Sequence, residues 1–107
     1  MDTSNKTRIE STFSSLSGEE RKTIISLGAA LRLSFLKKRL FLAENKLQQF
    51  QEQYGVPLAQ LDVKGLPDDA DYTMHEDYLM WHHWADVADK IRPDIAALEE
   101  IVQQGLF

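Results

Sequence analysis

The chain predicts an all-α fold, a long antiparallel helical hairpin, and three observations carry that prediction. Apolar residues recur three and four apart over two long stretches. Each stretch opens on a capping signal. No segment alternates apolar and polar residues as a half-buried strand does. The 107 residues, 43% hydrophobic and 27% charged, suit one domain with a core of its own.

Residues 1–16 are rich in Ser, Thr and Asn, with Ile9, Phe13 and Leu16 as the sizeable apolar groups after Met1. This composition predicts a flexible arm, in which Glu10 to Leu16 could form a docking turn. Residues 17–107 are then read as a single helical domain. Ser17-Gly18-Glu19-Glu20 is a capping box: a hydroxyl that can accept a backbone N–H and a Glu that can reach back. The first long helix follows, about residues 18–54, and ends at Tyr54-Gly55-Val56-Pro57, with Gly for the left-handed position and Pro beyond it. Ala29, Leu33, Leu36, Leu40, Ala43, Leu47, Phe50 and Tyr54 form an unbroken heptad seam along it. A second apolar stripe, Ile24, Leu27, Leu31 and Phe35 with Leu42 beyond, lies more than a quarter-turn away. A helix apolar on two faces needs cover on both.

Residues 55–73 read as a connector, with one helical turn at Pro57 to Leu61 and turn chemistry from Gly65 to Asp71. Thr73-Met74-His75-Glu76 reads as a second capping box that opens a helix over about 74–104. Met74, Tyr78, Trp81, Ala85 and Ala88 make its seam, and Ile91, Ile95, Leu98 and Val102 continue it after a one-residue phase change. Pro93 sits beside that change and predicts a kink there, with a break as the alternative.

Charge divides the chain. Residues 1–54 hold nine Lys/Arg and six Asp/Glu, residues 55–107 three Lys/Arg and eleven Asp/Glu, giving +3 and −8 within a total of −5. Apolar residues interleave in both halves, so two oppositely charged helices lying together is the simplest reading. The absence of cysteine excludes a disulfide scaffold, a thiolate metal site and a cysteine nucleophile. The polar Met1–Lys6 leads into no signal-like apolar run, and Arg32 and Ser34 interrupt the most apolar stretch. A cytoplasmic protein without a membrane segment is expected.

Three groups of residues invite a chemical reading. His75, His82 and His83 with Glu76, Asp77, Asp86 and Asp89 suggest a metal, and His82 and Asp86 share a helix face four apart. The Glu-x-x-His and His-Glu-x-x-His patterns of helical metal sites do not occur, so neither metal nor cofactor is expected. Tyr78 and Trp81 fall on the seam and read as core, whereas Trp84 lies on the flank and reads as an interface anchor. Lys37-Lys38-Arg39 with Arg32 and Lys46 is a basic patch, but a pI near 5.1 argues against direct nucleic-acid binding. Gly28, inside the first helix on its second stripe, suggests a close helix crossing. No catalytic constellation is present.

Phe50-Gln51-Glu52-Gln53-Tyr54-Gly55-Val56-Pro57-Leu58, Gly65-Leu66-Pro67-Asp68-Asp69 and Glu76-Asp77-Tyr78-Leu79-Met80-Trp81 together carry a resemblance. Over residues 36–90 the chain resembles short prokaryotic helical-hairpin proteins with a Tyr-Gly turn and an acidic, Trp-bearing second helix. Some of these are antitoxin-like. The Ser/Thr-rich N-terminal stretch and His82-His83-Trp84 depart from that pattern. The resemblance implies a protein-binding role without catalytic residues.

The function expected is a non-enzymatic protein–protein interaction module, antitoxin-like or an adaptor. Ile24, Leu27, Leu31, Phe35 and Trp84 are its interface candidates. A hairpin leaves the second stripe in water unless the N-terminal arm or a two-fold partner covers it, so a homodimer with a four-helix bundle is expected. The alternative is a helical bundle that binds a metal or small ligand near His75, His82 and Asp86.

Overall fold

The structure, a computed structural model, describes residues 2–105. Met1, Leu106 and Phe107, at the ends of the expected arm and domain, lie outside the described residues. Helix is the regular structure present among the described residues: α1 (Asp2–Ser14), α2 (Gly18–Tyr54), α3 (Leu58–Lys64) and α4 (Tyr72–Gly105). The predicted flexible arm is therefore helical as α1. Its single helical turn in the connector extends to the two turns of α3.

Local signals fix the helix ends. Ser17 caps α2: its Oγ accepts the Glu20 N–H at 3.1 Å and its carbonyl accepts the Arg21 N–H. The cap of α4 is Asp71, not Thr73, and the helix starts at Tyr72. Asp71 Oδ1 accepts the Met74 N–H at 2.8 Å, while its carbonyl takes the His75 N–H. A carboxylate is the stronger acceptor at a helix N-terminus, because it also meets the positive end of the dipole. Gly55 and Gly65 end α2 and α3 in the left-handed region, φ 70° and 77°, each donating its N–H to the carbonyl four residues back. Pro57 stands at the cap of α3 with extended backbone, one position earlier than expected. Through Pro93, which is exposed, α4 is one unbroken helix.

The residues group into two compact units, one of residues up to Ser34 with those from Ala96 onward, the other Phe35–Ile95. In the second unit α2 and α4 run antiparallel. Trp81, almost wholly buried, stacks between Phe50 and Tyr54, with ring centroids 5.7 and 6.0 Å away. Further along the same two helices Ala43 and Ala88 are both completely buried. Small side chains there let two helices come close, while Leu36, Ile91 and Ile95 fill the layers around them. Leu61 adds the buried contribution of α3. Every predicted seam residue of this unit is buried or half-buried.

In the first unit Arg21 closes the junction of α1 and α2. Its Nη1 donates to the carbonyls of Ser14 and Leu16, the acceptors a helix C-terminus leaves unpaired. Ala29 and Leu33 are buried on α2. Ser26, also buried, meets the end of α4. A Cβ on Gly105 would lie 2.0 Å from Ser26 Oγ and 3.1 Å from its Cβ. The Ser26 hydroxyl itself has no hydrogen-bond partner among the described residues.

Ser26→Ala is therefore expected to raise the unfolding free energy by about 1 kcal/mol, since it removes an unsatisfied buried hydroxyl. Gly105→Ala should lower it by about 1–2 kcal/mol through overpacking, and should cost less beside Ser26→Ala than alone. Urea unfolding of the four proteins measures both effects.

Candidate functional site

The stripe Ile24, Leu27, Leu31 and Phe35 stands on the side of α2 turned away from the seam. At 100° per residue its centre falls about 160° from that of the buried residues Ala29, Leu33 and Leu36. The structure leaves the four side chains 46%, 62%, 63% and 58% exposed. Leu42, further along the same face, is also exposed. The cover that Phe13 and Leu16 could have given is absent: Phe13 is half-buried, Leu16 exposed, and the stripe remains bare. Nothing lies within 4 Å of a Cβ built on Gly28, which shares this face, so the close crossing expected at Gly28 is not made within the described chain.

Trp84 does not share this exposure. It belongs to α4, is half-buried, and turns its ring edge-on to His83 at 5.1 Å. A flank position beside a well-filled seam covers part of a large indole even when the residue is off the seam. The four residues of α2 are thus the exposed part of the predicted interface.

A polar cluster joins α3 to α4. Asp62 Oδ1 accepts the Tyr78 hydroxyl at 2.5 Å and the His82 Nε2–H at 2.6 Å, and the Tyr78 and His82 rings meet edge to face at 4.9 Å. Tyr78 and His82 are four apart and so share one face of α4, to which α3 presents the carboxylate. Hydrogen bonds from Tyr78 first, then His82, hold the Asp62 carboxyl below its ordinary range. The bond to Asp62 raises the Tyr78 phenol in turn. A second cluster sits at the other end of the connector. Tyr54 donates to Asp77 Oδ2 at 2.5 Å and Gln53 Nε2 donates to the same oxygen at 3.2 Å. Burial, then the Asp77 hydrogen bond and charge, push the Tyr54 phenol up to about 12. On the outer face Tyr72 donates to Glu76, and that bond raises its phenol.

Of the residues of the metal reading, His82, His83, Asp86 and Asp89 line one open cavity, but their contacts lead elsewhere. His82 faces Asp62 rather than Asp86, and Asp86 pairs with Lys90 at 3.0 Å. His75 is exposed. Among the described residues no group of three or more His, Asp or Glu side chains could hold a metal ion. The Asp62–Tyr78–His82 cluster ties α3 to α4. Asp62 went unrecognised in the sequence, where the sole trace of it is the pair Tyr78 and His82 at helical spacing awaiting a common acceptor. Arg92 of α4 pairs with Glu44 of α2 and with Asp89 at 3.3 Å each, so this cross-helix pair takes its cation from the acidic half and its anion from the basic half, the reverse of what the charge division suggests.

Comparison with protein-family models, with curated proteins and with solved structures found no match. Among the described residues no helix is long and apolar enough to cross a membrane.

The two clusters set opposite pH slopes. Asp62 is ionised in the folded chain at pH values where the unfolded chain, near 3.8, takes up its proton. Its contribution is whole above that value and is lost as pH falls through the lowered one. Asp62→Asn should flatten the acid limb of stability against pH, measured by chemical unfolding; an unchanged limb contradicts the assignment. Tyr54 has the reverse sign: its contribution is whole below pH 10.0 and fades as pH rises through about 12. Tyr54→Phe should flatten the alkaline limb.

Proposed function

We propose that the chain is a non-enzymatic, cytoplasmic protein–protein interaction module that self-associates as a homodimer through α2 and binds another protein, in an antitoxin-like or adaptor role. One observation supports this reading above the rest: four large apolar side chains in consecutive turns of α2 stay exposed after the chain's own helices have buried the opposite face. Burying a Leu, Ile or Phe stabilises by about 1.5–3 kcal/mol, so a contiguous stripe of four is a strong incentive to associate. A two-fold copy of α2 has the same stripe and covers it. The result is a four-helix assembly with the two α2 helices at its centre.

The acidic second half supports the second part of the reading. Its −8 balance accelerates encounter with a basic partner and favours such a partner over an acidic one. Asp68, Asp69, Glu76, Asp86, Asp89 and Asp94 are all exposed. The reading needs no catalytic residue and no cofactor.

Light scattering coupled to size exclusion tests self-association. The expected result is a species of twice 12.3 kDa that Phe35→Glu converts to monomer while the helical circular dichroism persists. A wild-type chain that remains monomeric at high concentration contradicts the proposal. Co-expression with the product of the neighbouring gene tests the partner: a salt-sensitive complex that survives purification is expected, and two proteins that elute separately count against an antitoxin-like role.

A further inference from the structure

We infer that the occupant of the α2 stripe is a second copy of this chain running antiparallel, in a register set by Glu20 and Lys38. The inference rests on the self-association proposed above and adds its orientation. Glu20 and Lys38 are eighteen residues apart, five whole turns, so they project from α2 along one line about 27 Å apart. That line runs along the exposed stripe, and the two charges bracket it, Glu20 before Ile24 and Lys38 after Phe35. Both are exposed, and neither forms an ion pair among the described residues.

The midpoint of the bracket is Ala29, and the apolar stripe is centred within one residue of it. An antiparallel two-fold at that level does three things together. It lays Leu27 against the partner's Leu31 and Ile24 close to the partner's Phe35. It sets Glu20 against the partner's Lys38, twice. It also places Gly28 beside the axis, where two backbones come closest. Gly28 has open space around it and costs the isolated helix about 1 kcal/mol against Ala, so a close approach gives that glycine a purpose. A parallel pair aligns Glu20 with Glu20 and Lys38 with Lys38, and so opposes like charges at both ends.

Charge reversal distinguishes the orientations. In the antiparallel dimer Glu20→Lys and Lys38→Glu each turn two attractions into two repulsions, while the double variant restores both pairs. Sedimentation equilibrium of the full chain at low salt should show each single variant weakening the dimer about tenfold. The double variant should return to within about threefold of wild type, and 1 M NaCl should erase the differences. Circular dichroism verifies that all three remain folded. Single variants that dimerise as wild type does, or a double variant whose losses add, overturn the register. If Leu31→Glu abolishes a dimer that the charge variants leave intact, self-association through α2 stands and the antiparallel register falls. If the wild-type chain does not dimerise, both fall together.

Discussion

A straight helix can turn one stripe toward one neighbour, and α2 carries two. Its heptad seam, from Ala29 to Tyr54, is satisfied within the chain, while the residues from Ile24 to Phe35 face the other way. This is a geometric conflict rather than an energetic accident. At 3.6 residues per turn, positions 29, 33 and 36 cannot share a face with 24, 31 and 35. Any second layer of cover must come from elsewhere, and α1, the one spare element near the start of α2, leaves the stripe exposed. The proposed role in association follows from that leftover surface.

The buried face shows how the conflict arises. Trp81 stacks against Phe50 and Tyr54, and the buried Ala43 and Ala88 add to the packing of α4 on α2. The connector reinforces that packing from outside the core. Asp62 ties α3 to Tyr78 and His82, and Asp77 ties α4 to the end of α2. These polar groups sit at the edges of the packing, so they fix geometry while remaining in reach of water.

Much of this is legible in the sequence because helical periodicity is a local property. The two seams, the Ser17 cap, the Gly55 and Gly65 turns and the exposed stripe can be read from spacing alone. What escapes such reading depends on contacts between elements. Residues 2–14 look polar enough to fray, yet they form a helix whose last carbonyls receive Arg21, seven residues beyond its end. Asp71 replaces Thr73 as a cap because both are plausible acceptors, and which one serves depends on where the chain enters the helix. Asp62 is one aspartate among many until α3 brings it to Tyr78 and His82. His82 and Asp86 share a helix face, yet each takes another partner, Asp62 and Lys90, for the same reason. Trp84 reads as bare in projection, but most of it is covered.

In the proposed homodimer a second copy covers the stripe that one chain leaves exposed. Thermal unfolding followed over a hundredfold range of protein concentration tests it most directly, because mass action raises the melting temperature of a species stabilised by self-association. A melting temperature that climbs steadily with concentration is expected. A melting temperature that stays constant across that range contradicts the proposed homodimer.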